Sequence, residues 1–241
     1  LATYSGSLVL LNRNTGSRLR ATFDPRQSGT EVEVDLAHLE PGGAVTGEVL
    51  PSGSVLDRWR LPDGREIEGS LVDVASPVLM LRAADVGVDG TESRQELSSR
   101  HDLLADIEVL RTSAAEVCGL IREGAPSRAV PRVSLILPAS KDTGADVDTR
   151  NVSLQRIHHA IPATSAMCVA AASRIPGTIA QAMATPSWPD RVTIAHPRGV
   201  VHLNIAMTQE GSGSPPHVDH VGGTHTTRTL MTGTAFPGET P

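Results

Sequence analysis

The segment Ile161-Pro162-Ala163-Thr164-Ser165-Ala166 runs from a proline-broken stretch into an alanine-rich helical pattern. A helix start leaves several backbone N–H groups without intrahelical partners and carries partial positive charge, a combination that suits a carboxylate. Thr164 and Ser165 would add hydroxyl donors there, with His158 and His159 standing just before them. The same residues also read as an ordinary helix start with Thr164 as its cap. Ser76 offers another hydroxyl at a tight turn, although Ser76-Pro77 reads equally as a strand-breaking turn and nothing more.

Five of the nine histidines crowd the C-terminal part: His196, His202, His217, His220 and His225. The spacing of His217-Val-Asp-His220 is tolerable for metal ligands, but Gly, Ser and Pro surround it. That composition reads as a loop, with no helix to fix both rings and no cysteine nearby, so no metal is assigned. No phosphate loop, dinucleotide fingerprint or nucleophile elbow appears, and no cofactor is expected. Asp85 and Asp89 suit turn roles better than acid–base roles. Cys118 and Cys168 lie in apolar helical patterns and read as buried thiols rather than a disulfide. Lys141 is the only lysine and sits in a Lys-Asp-Thr-Gly loop.

Strands must carry most of these groups. Residues 7–11 and 18–23 read as a hairpin about Asn12–Gly16, and 31–36 alternate charged and apolar like a half-buried strand. After a Pro41-Gly42-Gly43 boundary, 45–50 and 54–59 read as strands. The run from Gly69 to Glu92 reads as strand, turn at Ser76-Pro77, strand and an Asp/Gly-rich corner. Leu103, Ile107, Leu110, Ala114, Val117 and Ile121 recur at helical steps, predicting a helix over 102–121 with a Ser98/Ser99 start and a Gly124 stop. Further on come a strand at 133–137, a helix at 164–174 and a hairpin of 192–195 with 200–207. A loop at 209–216 precedes a last strand over 230–236. Strands with two main helices make the class α+β.

Composition narrows the partners. The 241 residues can bury a real core, and 39% hydrophobic with 20% charged content is ordinary for a globular protein. Aromatics at 2% and a net charge of −6 argue against nucleic acid. No apolar run is long enough to span a membrane and no signal pattern opens the chain, so a cytoplasmic location is expected. The opening LATYSGSLVLL falls at once into a strand pattern and reads as a start inside a fold.

Several segments taken in order carry a family likeness. LNRNTGSRLRA (11–21) resembles a strand–NTG–strand hairpin, and TGEVLPSG (46–53) resembles TGKLLPTG. GSLVDVASPVLMLRAADVGVDGTE (69–92) is the strongest match. The helix ending Cys118-Gly119-Leu120, HHAIPATSAMCVAAASRIPGT (158–178), HPRG (196–199) and TTRTLMTGTAFP (226–237) complete the set. The chain resembles the PrpF family of aconitate, oxalomesaconate and methylitaconate isomerases, which have the diaminopimelate epimerase-like fold.

The resemblance implies two similar halves, each a curved sheet around a central helix, with substrate in the cleft between them. Residues 1–44 would be the tail of the first half, 45–215 the second half, and 216–241 a return to the first. It further implies a cofactor-independent isomerase that moves a proton and a double bond on a small unsaturated di- or tricarboxylate. Hydroxyl and N–H donors around Thr164 and Ser165, with His158 and His159, would hold charge developing on the substrate carboxylate. Ser76 stands where the family has the Asn of Asn-Pro, Ser52-Gly53-Ser54 replaces Thr-Gly-Asn, and His159 replaces a lysine, so Ser76, Ser52 and Ser54 become weaker substrate-binding candidates. The family's reactive Lys and NCGN cysteine find no match, so no catalytic residue is expected in this chain. An N-terminal half on another chain, or a homo-oligomer, would then supply the base, and the chain alone would be inactive. The other reading is a non-catalytic remnant or interaction subunit. The expected ligand is a small anionic carboxylate, with no nucleic-acid or membrane partner.

Overall fold

Short runs of Val, Leu, Ile and Thr, broken by Gly, Pro and Asp, make strands the dominant regular element among the described residues. The computed structural model describes residues 6–13, 16–23, 31–122, 125–126, 129–139, 142–208 and 217–228. The first strands are β1 (Gly6–Leu11), β2 (Arg18–Phe23), β3 (Glu31–Leu39), β4 (Asp57–Arg60), β5 (Glu66–Val74) and β6 (Ser76–Arg82). A 3-10 turn (Ala83–Val86) leads to α1 (Arg94–Ser99) and α2 (His101–Val117), followed by the two-residue strands β7 (Ile121–Arg122) and β8 (Ala125–Pro126). Next come β9 (Arg132–Pro138), β10 (Val147–Ser153), β11 (Arg156–Ile157), α3 (Ala163–Ala172) and α4 (Ile179–Met183). The last strands are β12 (Arg191–His196), β13 (Gly199–Thr208) and β14 (His217–Arg228).

Among the described residues, one mixed sheet of twelve strands runs β1-β2-β3-β14-β13-β12-β10-β9-β6-β5-β4, with β11 paired to β10. The pairs β6/β9 and β10/β12 are parallel. The sheet curves around α3, which packs on β5, β6, β9, β12, β13 and β14. Every residue of α3 from Ser165 to Ala172 is buried, and its small side chains let strands approach on several sides. Val72, Val78, Met80, Ile136, Ile194 and Val221 complete that inner core. The opposite face of β5, β6 and β9 presents Leu71, Leu79, Leu81 and Leu135 to Leu103, Ile107 and Leu110 of α2. Burial on both faces is why these strands read as near-continuous apolar runs.

The chain after β3 folds back to seal the end of β5. Gly42 bridges to Val74, the Gly43 N–H donates to Asp73 O at 2.8 Å, and the Ala75 N–H donates to Pro41 O at 2.9 Å. Buried Asp73 clasps the same segment, its Oδ2 accepting from Val45 N (2.8 Å), Thr46 N (2.7 Å) and Thr46 Oγ1 (3.0 Å).

Several expectations need correction. Residues 45–50 are turns, because Asp73 and the backbone of β5 take their hydrogen bonds; in the 54–59 segment, extended pairing starts only at Asp57. The β5–β6 reversal centres on Ala75 (φ 61°), so Ser76 and Pro77 already belong to β6. A separate helix α1 precedes α2, with a capping box between Ser93 and Glu96. Helix α2 ends before the expected Gly124 because Gly119 (φ 66°) permits a Schellman closure, with Leu120 N–H donating to Ala115 O and Gly119 N–H to Glu116 O. His217–His220, expected in a loop, instead open the long strand His217–Arg228 between β3 and β13. Gly222 permits this pairing, since a Cβ there would lie 1.9 Å from Leu36 O. The hairpins β1–β2 and β12–β13 and the buried thiols are as expected. Lys141, the 209–216 loop and the 230–236 strand lie outside the described residues. No helix among the described residues is long and apolar enough to cross a membrane.

Candidate active site

The start of α3 opens into a cleft of about 430 Å³, where Thr164 meets the turn of the β1–β2 hairpin, His38 to Pro41, and the Gly43–Val45 loop. Pro162 is the N-cap residue and no side chain caps the helix. Thr164 is therefore the second residue of α3, and its cap role does not hold. Its Oγ1 instead accepts a hydrogen bond from Arg132 Nη1 at 3.2 Å.

Arg132 begins β9 and pairs beside Val78 of β6. It is half-buried, and burial holds its pKa below the usual guanidinium value. Among the described residues no carboxylate compensates it. A partly desolvated, unpaired guanidinium beside an uncapped helix start is costly unless an anion joins it. Ser165 adds a second orphan: it is fully buried and its Oγ has no hydrogen-bond partner. Alternation puts Ser134 on the α3 side of β9 along with Ile136, and puts Ser76 on the α3 side of β6 along with Val78. Asn151 Nδ2 donates to Ser134 Oγ at 2.7 Å, and Asn151 Oδ1 is buried without a partner. Polar groups thus collect on the sheet around α3.

His38 also lines the cleft, and burial lowers its pKa, so the imidazole is a neutral base at pH 7. Neighbouring Glu40, at positive φ, is held in an ion pair with Arg18. Neither thiol suits proton transfer at neutral pH. Burial pushes Cys118 up to about 12, and Cys168, which donates to Val72 O, is also pushed upward by burial.

The other sequence candidates lie elsewhere. Ser52 Oγ donates to Asp57 Oδ2 at 2.6 Å and accepts from Ser54 N, an exposed turn that does not line the cleft. The His158 backbone N–H donates to Asn151 O, and its ring stacks on His159 at 4.7 Å between centroids. His159 lines a different cleft, shared with Arg150 and Arg198. The C-terminal histidines disperse along strands, where His202 Nδ1 lies 3.0 Å from Thr193 Oγ1. Among the described residues no three His, Cys, Asp or Glu groups gather. Arg132 and His38 escaped the sequence reading. Their signal was faint: a charge heading the apolar run 133–137, and a histidine within an alternating strand.

A sequence profile described as PrpF protein matches residues 24–237. The chain belongs to the PrpF family. A 3-methylitaconate isomerase of Eubacterium barkeri is 30% identical over 230 residues, covering 83% of this chain and 60% of the relative. A 2-methyl-aconitate isomerase of Shewanella oneidensis is 27% identical over 74% of this chain and 49% of its own length. A (4E)-oxalomesaconate Delta-isomerase of Novosphingobium is 30% identical over 86% and 55%. The chain thus spans roughly half to three-fifths of these PrpF relatives. The crystal structure of a methylitaconate-delta-isomerase superposes with a TM-score of 0.75 at 25% identity, over 98% of this chain and 70% of that one. A hydroxyproline epimerase from Agrobacterium vitis shares the fold at TM-score 0.54 and 13% identity, over 95% of this chain and 60% of that one. The fold is of the diaminopimelate epimerase-like type, and the family is one of small-carboxylate isomerases. These matches give no support to restricting the assignment to a C-terminal portion, to an inactive chain, or to a non-catalytic remnant.

Proposed function

We propose that this chain carries the carboxylate-holding site of a cofactor-independent isomerase acting on a small unsaturated di- or tricarboxylate by allylic proton transfer. The observation that carries the reading is Arg132, half-buried, without a carboxylate partner among the described residues and bonded to Thr164 at the uncapped start of α3. A substrate carboxylate there accepts from first-turn N–H groups and the Thr164 and Ser165 hydroxyls, while Arg132 neutralises it. As the allylic proton leaves, negative charge spreads into that carboxylate, where the donors already point. The carboxylate is itself the electron sink, so no cofactor enters. In this reading residues 45–215 form the half-domain around α3, and 1–44 with 216–241 belong to its companion half. Residues of both sets line the cleft.

Of the side chains lining the cleft, His38 is the base able to exchange a proton at neutral pH. A base on an N-terminal portion or a second chain facing the cleft, as the family likeness implies, is the other source. Exchange of allylic protons of itaconate- and aconitate-type acids into deuterated water, followed by NMR, tests the proposal. Arg132→Ala should lower the exchange rate about 10²–10³-fold. Unchanged kcat/KM in Arg132→Ala would overturn the assignment of the site. His38→Ala locates the base: lost exchange assigns it to His38, and persisting exchange assigns it to the other source.

A further inference from the structure

The face of the sheet turned away from α3 carries a second cleft of about 600 Å³, lined by Arg94, Arg150, Arg198, His159 and Glu92 among others. Alternation along β10 sets it on that face. Val147 packs in the α3 core and Val152 in the α2 core, so Arg150 shares the side of Val152. The Arg150 side chain is only 10% exposed and is rigidly held. Its Nη1 donates to Asp148 Oδ1 at 2.7 Å and Thr149 O at 3.0 Å, and its Nη2 to Gly90 O at 2.9 Å.

The acidic groups here are already committed. Asp148 is paired with Arg150, and Glu92 accepts from Asp89 N and Gly90 N and lies 3.8 Å from Arg100. Arg94 and Arg198 have no ion pair among the described residues. In a chain of net charge −6, the cleft therefore sets two guanidinium groups without an ion pair among the described residues, Arg94 and Arg198, beside the paired Arg150. Nearby His196 reports the same surroundings. Burial holds its pKa below the usual value, Asp148 pulls it up, and His159, Arg150 and His158 oppose its charging. Cations facing one another across a concavity repel, and an anion between them relieves that cost.

We infer that this outer cleft is a second ligand site, separate from the α3 cleft, for a small oxyanion carrying two or more negative charges. Planar guanidinium groups match carboxylate and phosphate oxygens bidentately, and the volume is that of a small-molecule site. The site does not depend on the isomerase reading. Titration calorimetry on the 241-residue chain, with citrate and inorganic phosphate as separate probes, distinguishes the two sources. Saturable binding of at least one probe should weaken about tenfold or more in Arg94→Glu/Arg198→Glu. It should weaken to a smaller degree in Arg94→Ala/Arg198→Ala, the milder pair should the reversal fail to fold. Arg132→Ala should leave that component intact. Citrate binding alone assigns a polycarboxylate, and phosphate binding alone a phosphate-bearing ligand. Absence of saturable binding by either probe overturns the inference. So does binding that disappears with Arg132→Ala while surviving both double variants, because the anion then sits at α3.

Discussion

Ser165→Ala should make this protein more stable and, if the α3 cleft is the active site, slower. Ser165 is fully buried and its hydroxyl finds no partner, whereas in the unfolded chain water satisfies it. Leaving such a group unpaired costs about 1–3 kcal/mol. Alanine also gains about 0.5 kcal/mol of helix propensity over serine at this third position of α3. Against this stands the lost packing of one oxygen atom, on the order of 1 kcal/mol. The net gain is about 0.5–2.5 kcal/mol, which for a chain of this size raises Tm by about 1–10 °C. The same hydroxyl, left free for substrate, should be missed in the transition state, lowering kcat/KM about 10²–10³-fold. Calorimetric melting and the proton-exchange assay on one preparation read both effects. A lowered Tm would refute the premise that the hydroxyl is orphaned. A raised Tm with unchanged kcat/KM would keep the orphan but remove the substrate contact.

Three further outcomes are expected. Gly222→Ala should cost about 3 kcal/mol or more, because its Cβ would lie 1.9 Å from Leu36 O in the paired strand β3; a denaturant midpoint close to wild type would contradict the β3–β14 register. Burial, opposed by hydrogen bonds from Thr46 and Val45, holds the Asp73 pKa above the usual 3.8, so the folded state keeps this proton longer than the unfolded one. The stabilisation is fully present below 3.8 and lost as pH rises through the folded value. Wild type should therefore lose Tm relative to Asp73→Asn as pH climbs from that region, and a gap that widens in favour of wild type would disprove it. Finally, β1 is an edge strand with Leu8, Val9, Leu10 and Leu11 exposed by 44–63%, so the chain should self-associate or bind a partner. Sedimentation velocity should show association that Val9→Lys/Leu11→Lys reduces, and a monodisperse wild-type monomer would count against it.

Local rules were legible wherever a segment answers to its own neighbours. The β1–β2 and β12–β13 hairpins, the apolar face of α2 and the helical run after Pro162 follow from short-range turn chemistry and periodicity. So was the family, carried by motifs in a common order between residues 11 and 237, most of them inside the matched span 24–237. The start of α3 was read as a carboxylate site because helix ends leave N–H groups free in any fold. Long-range partners decided the rest. Residues 45–50 look like a strand, but Asp73, far along the chain, takes their N–H groups and turns them into a clasp. His217 to His220 look like part of a loop, but the edges of β3 and β13 offer a ladder of backbone partners that takes them into β14. Arg132 could be valued only once folding laid it against Thr164 with no carboxylate partner among the described residues. His159 lies in the bend that follows β11 and lines the outer cleft beside Arg150 and Arg198 rather than the α3 cleft, a placement that proximity in sequence to Thr164 did not reveal. Periodicity and end effects act over a few residues and are written in order along the chain. Charge compensation and strand pairing depend on which distant groups arrive, and only the closed sheet brought those together.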